Sequence, residues 1–298
     1  MAIQRNKLNI GKARRRVQIR SALLLTLGAC LIVSFVRLLV SGFSMPYAMR
    51  WLLESGTVLL AFGGGAYLGL CVLDGNHRKI VPLRKLSRGQ ILWLSLLGVL
   101  FVCPASLASE LFGALAGQRY QQADGVQMLG SARFAAMVVK SALLAPVCEE
   151  LFFRGYLLPA LRPQGSLRAA VVVSLCFGLV HGSGNWAAHM MLSLLLCWMA
   201  LYTQSLLAPV LVHASYNLML ILLESIGLSG LVAGWSLVSC VVRLAGCAAL
   251  IAVLRRAYIA RPAGGAFALW EGGKLTKREA SLLAGCALLL LATLIMGG

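Results

Sequence analysis

Residues 21–42 read SALLLTLGACLIVSFVRLLVSG, an apolar run in which Arg37 is the single charged residue. An α-helix rises about 1.5 Å per residue, so a run of this length matches the roughly 30 Å hydrocarbon core of a bilayer. Seven basic residues, Arg5, Lys7, Lys12, Arg14, Arg15, Arg16 and Arg20, stand just before it. A cleaved secretory signal has a shorter apolar stretch that ends in a small-residue cleavage site, and neither condition is met here. The run reads as a retained membrane helix behind a basic arm.

The same signature continues along the chain. Further apolar runs fall at about 51–73, 90–112, 134–160, 168–183, 186–203, 205–225, 231–254 and 280–297, which makes nine candidate spans with the first. The connections near 184 and 204 are short, so eight and nine spans are both open. Of the 298 residues, 60% are hydrophobic and 12% charged, whereas soluble domains hold about 45–50% and about 25%. That composition excludes a soluble enzyme, a disordered chain and a disulfide-knit secreted module. No stretch alternates as the strands of a membrane barrel do, so the expected fold is an all-α, polytopic transmembrane helix bundle. The nine cysteines are scattered through apolar runs without a CxxC pair and read as small packing residues.

The chain carries 27 Lys and Arg against nine Asp and Glu, a net charge of +18. With the arm in the cytoplasm, the inside connections are 74–89 (His77, Arg78, Lys79, Arg84, Lys85, Arg88), 161–168 (Arg162, Arg168), a tight turn near 204, and 255–279. The outside connections are 43–50, 113–133, 184–185 and 226–230, where Lys and Arg are sparse. This is the bias that insertion produces, so the N-terminus is expected to be cytoplasmic. The bilayer accounts for the charge, and nucleic acid is not an expected partner. The partition is a basic arm over 1–20 and a single transmembrane domain over 21–298. Gly63, Gly64, Gly65 and Gly69 suggest close helix contact rather than a phosphate loop, since no strand precedes them and no Lys follows.

Ionisable residues deep in a bilayer cost about 2.5 to 3.5 kcal/mol each, so each needs a reason. Glu54, Glu110, Lys140, Glu224 and Arg37 lie near expected helix ends, where snorkelling suffices. There remain Glu149, Glu150, Arg154, His181, His213, Asn217 and Arg243. Glu150 and Arg154 are four apart with the acid first, the favoured order for an ion pair on one helix face. Adjacent helical residues point about 100° apart, so Glu149 is left without that cation, and an unpaired carboxylate in an apolar site is a candidate general base. The chain turns near residue 165, with Glu149 sixteen residues before it and His181 sixteen after. In an antiparallel hairpin the two share one depth. His213 and Asn217, counted inward from the turn near 204, overlap that level. His189 is expected at the interface, away from this layer, and Arg243 has no carboxylate in its own helix.

These residues carry a resemblance. Glu149-Glu150-Leu151-Phe152-Phe153-Arg154 has the form EExxxR, Phe177 to His181 the form FxxxH, and His213 to Asn217 the form HxxxN. In that order they resemble the CAAX-processing and bacteriocin-processing intramembrane proteases, the CPBP or Abi family, over about 134–225. The resemblance implies a membrane endopeptidase in which Glu149 activates water, His181 helps to hold it, His213 and Asn217 stabilise the oxyanion, and Glu150 with Arg154 supports them. It implies a peptide precursor, a prenylated terminus or a membrane protein as substrate, and an integral multi-pass location, the cytoplasmic membrane in a bacterium. The family is commonly labelled metalloprotease. The zinc signature HExxH is absent, so a divalent metal such as zinc on His181, His213 and Glu149 is compatible with the ligand chemistry but not required. The sequence also offers no carboxylate placed to orient a ligating His, which favours direct activation of water by Glu149. A non-proteolytic immunity or regulatory factor on the same fold, and less readily a transporter, are the alternatives.

Overall fold

The computed structural model describes residues 2–72, 83–115, 129–182, 186–233 and 236–259, with side chains described between residues 18 and 254 of these. Much of the expected connections 74–89, 113–133 and 255–279, the turn at 184–185 and the last expected span, 280–297, lie outside the described residues. Within them every regular element is helical.

The basic arm is helical and continuous with the first span, as α1 (Ala2–Gly42). Helices α2 (Tyr47–Thr57) and α3 (Gly65–Val72) are joined through a π-helical stretch, Val58–Gly64. After α4 (Arg88–Leu115) comes a second interrupted helix: α5 (Ala132–Met137), a π-helical stretch Val138–Leu144, α6 (Ala145–Glu150), another π stretch Leu151–Leu157, and α7 (Leu158–Leu161). Pro146 and Pro159 lack an N–H and crowd the carbonyls four residues back, at Ala142 and Gly155. Both of those residues lie in the wider π turns, which accommodate the rings without ending the helix. The rest of the bundle is α8 (Ser166–Val180), α9 (Trp186–Thr203), α10 (Leu207–Ser225) and α11 (Leu237–Ile259).

Five of these helices contain a segment long and apolar enough to cross a membrane: Gln18–Gly42, Arg88–Gly113, Trp186–Thr203, Leu207–Ser225 and Leu237–Leu254. Outward faces are apolar: Phe35, Leu92 and Leu244 on these spans, and Leu60 and Tyr67 on the interrupted second helix, are all more than 60% exposed. A water-soluble surface does not carry such a contiguous apolar coat.

The expected turns are found. Gly165, at φ +112°, reverses the chain after the 3-10 turn Arg162–Gln164, a backbone state open to glycine at little cost. Gln204, at φ +51°, closes the tight turn between α9 and α10. Helix α8 packs on α9, while α10 and α11 pack on α4. The small residues of the second span allow the close contact expected of them: a Cβ on Gly65 would lie 2.9 Å from the Phe152 ring, and one on Gly69 would meet the ring of Tyr156.

One expectation about charge is corrected. Glu110 does not snorkel: it is buried and pairs with Arg243, whose Nη1 donates to Glu110 Oε2 at 2.6 Å between α11 and α4. Arg243 thus finds its carboxylate on another helix, because desolvating either charge alone is far costlier than desolvating the pair. Glu54 and Lys140 likewise form an ion pair with each other, and Arg37 donates from Nη2 to the Val180 carbonyl at 2.9 Å, which anchors α1 to the end of α8.

Candidate active site

Glu149 and Glu150 end α6 and point to different neighbours, as adjacent helical residues must. Glu150 is fully buried, and its Oε1 accepts from Arg154 Nη1 at 2.9 Å and from His213 Nδ1 at 2.9 Å. Arg154 Nη2 also donates to Ser193, to the carbonyl at 3.0 Å and to Oγ at 2.6 Å. Its guanidinium lies 4.7 Å from the centre of the Phe177 ring, a cation–π contact that further fixes a buried charge. The pair expected from the i,i+4 spacing is therefore present, and it is tied to two other helices.

Glu149 faces the other way. Its Oε2 lies 3.7 Å from His181 Nε2 and 4.0 Å from His213 Nε2. That oxygen is buried and accepts no hydrogen bond from the described protein groups. His181 follows the last residue of α8, and its Nδ1 donates to the Phe177 carbonyl at 2.8 Å. Asn217 Nδ2 donates to the Ser141 carbonyl at 2.7 Å, one turn below His213 on α10. The structure thus brings Glu149, Glu150, Arg154, His181 and His213 into one cluster, with Asn217 on the wall of the same cavity.

One further residue joins them. The His189 ring stacks on His181, centroids 3.9 Å apart and 13° from parallel, and lines the cavity. The interfacial position expected for His189 is corrected, and the reason is helix length. Helix α8 ends at Val180 instead of 183 and holds 15 residues, about 22 Å, so its turn falls within the active layer instead of at the surface.

The cavity has a volume of about 490 Å³, within the usual range for ligand pockets. Glu149, His181, His189 and Asn217 supply its polar wall, and Val33, Val36, Val58, Phe62, Leu220 and Ile221 its apolar one.

Both imidazoles have an acceptor at Nδ1, so each holds its proton there and presents Nε2 toward Glu149. The oriented His absent from the sequence is present in the structure: Glu150 holds His213, and a backbone carbonyl holds His181. The reason drawn from the sequence for disfavouring a metal is corrected accordingly. The spacing nevertheless does not fit one. Tetrahedral zinc with ligands at about 2.0–2.2 Å keeps its donor atoms about 3.4 Å apart, less than the separations at Glu149. Among the described residues no three His, Cys, Asp or Glu side chains are gathered closely enough to hold a metal ion.

Residues 131–219 match the family model of Rce1-like type II CAAX prenyl endopeptidases. The match begins beside α5 and ends within α10, so it takes in all three motifs and the helices that carry them. It agrees with the resemblance read from the motifs over about 134–225. Over residues 131–219 the chain is thus similar to the CAAX-protease family, and five of its helices are long and apolar enough to cross a membrane. Neither the curated proteins nor the solved structures contain a match to the chain.

Proposed function

We propose that this protein is an intramembrane endopeptidase that hydrolyses a peptide bond with a water activated by Glu149. The observation that carries the reading is the buried Glu149 Oε2, an acceptor without a donor among the described residues, 3.7 Å from His181 Nε2. One water at about 2.8 Å from both atoms spans their separation and directs one O–H to each. As its oxygen attacks the scissile carbonyl carbon, one proton passes to Glu149 and the carbonyl π electrons move to oxygen. When the C–N bond breaks, Glu149 returns that proton to the leaving amine.

Oxyanion stabilisation falls to His213 and Asn217. His213 spends its Nδ1–H on Glu150, so its Nε2 donates to an oxyanion only when that nitrogen also carries a proton. Asn217 keeps a second amide N–H beyond the one given to Ser141. That N–H, on an amide already held by Ser141, is a donor fixed before reaction, the most effective kind. Glu150 and Arg154 are positioning residues. The donor spacing does not fit a metal, and no step passes through one.

The whole chain is read as a single transmembrane domain of eight or nine spans with a cytoplasmic N-terminus and its catalytic core at about 134–225, in the cytoplasmic membrane if the source is a bacterium. The substrate is a membrane-associated peptide, whether a precursor, a membrane protein or a prenylated terminus. Purified protein incubated with a quenched-fluorescence peptide library, with and without a strong chelator, tests the reading. Cleavage that survives chelation is expected, and the absence of any cleavage contradicts it in favour of a non-proteolytic factor.

A further inference from the structure

The place of the cavity's exposed rim in the bundle bears on where substrate comes from. The charged residues around it are Arg37, Glu54, Lys140 and Glu224. Each lies within eight residues of a helix end at Gly42, Tyr47, Ala132 or Ser225. Arg37 is exposed and the other three are half-buried, whereas Glu149 and His213 at the inner end are buried. None of the lining residues comes from the opposite end of the bundle, where the chain turns at 162–165 and 203–206.

That opposite end is the basic one. Among the described residues, fourteen Lys and Arg fall in 2–20, 83–88, 161–168 and 255–259, and the bond from Ser205 Oγ to the Arg84 carbonyl ties the second of these segments to the turn at 203–206, against Arg50 and Arg133 at the other end. Lys and Arg next to spans are retained on the cytoplasmic side. The mouth therefore faces away from the cytoplasm.

We infer that the enzyme takes its substrate from the non-cytoplasmic side: an apolar segment of an exported peptide or of a membrane protein's external face. This rests on the proteolytic reading above and narrows its substrate class. A lipid-anchored terminus at the cytoplasmic leaflet would meet the basic end, from which no lining residue of this cavity comes. The walls support an apolar segment, since Val33, Val36, Val40 and Leu220 line the path from the rim to His181 and Glu149.

The test uses sealed vesicles of both orientations containing the full chain. Val40→Cys marks the mouth, and Pro163→Cys, at the exposed turn, marks the basic end. A membrane-impermeant maleimide is applied, with the wild-type chain as background, and a water-soluble quenched peptide library is supplied to the same vesicles. We expect Val40→Cys to label and the library to be cleaved in vesicles of one orientation, and Pro163→Cys to label in the other. In cells only the Val40→Cys variant should label from outside. Labelling of Val40→Cys from the cytoplasmic side, or cleavage only in vesicles whose basic end faces out, overturns the inference. Labelling as expected with no cleavage from either side or in detergent overturns it through the proteolytic reading instead, leaving the orientation of the cavity standing.

Discussion

His213 Nδ1 donates to Glu150 Oε1 across 2.9 Å, joining α10 to α6 over 63 residues of sequence. The same carboxylate oxygen receives Arg154, so one glutamate holds both a guanidinium and an imidazole in place. Its neighbour, Glu149, is left to the cavity. The division of labour between two adjacent carboxylates is the structural basis for expecting their variants to behave differently.

Glu150→Ala leaves Arg154 buried without its carboxylate. Breaking one side of a buried pair costs about 3 to 5 kcal/mol, so expression and thermal unfolding in detergent should both fall. Glu149→Ala removes a buried charge that no cation pairs directly, and its unfolding temperature should stay at or above that of the parent. Equal losses of stability in the two variants would contradict the pairing.

Glu110 and Arg243 form a second buried pair, far in sequence from the three motifs. Arg243→Met should destabilise by about 3 to 5 kcal/mol, and Glu110→Leu combined with Arg243→Met should recover most of the loss, because the double replacement leaves no unpaired charge. A thermal-shift series on the single and double variants reads this directly; a double variant as unstable as the single one would refute it.

Helix α10 is held close to α4 at Gly98, where a Cβ would meet the Val212 carbonyl and lie 2.9 Å from Ser215 Cβ. Because the obstacle includes backbone, Gly98→Ala should push α10 outward and carry His213 with it. A stability loss of about 1 to 3 kcal/mol is expected for such overpacking, together with reduced cleavage. Unchanged unfolding temperature would show that the helices separate freely.

Much of this architecture is legible in the sequence because a bilayer enforces it. Apolar runs of about 20 residues mark helices with little ambiguity, and i,i+4 spacing puts Glu150 beside Arg154 as expected. Counting from the turn at Gly165 also sets Glu149 level with His181. What is not legible depends on contacts between helices far apart in sequence. Arg243 meets Glu110 across 133 residues, and no local pattern announces that. His189 stacks on His181 because α8 is short, a matter of where a helix stops, which apolar composition marks poorly. The Glu150 to His213 bond is of the same kind: both residues stand out in the sequence, but their contact comes from packing.

The central claim is that Glu149 activates the water, and the most direct measurement is the cleavage rate of Glu149→Gln against the parent, on the same peptide and with folding checked by thermal unfolding. Glutamine keeps the shape and loses the base. The account predicts a folded protein whose cleavage falls by about 100- to 10,000-fold. A folded Glu149→Gln variant that cleaves at the parent rate would contradict it.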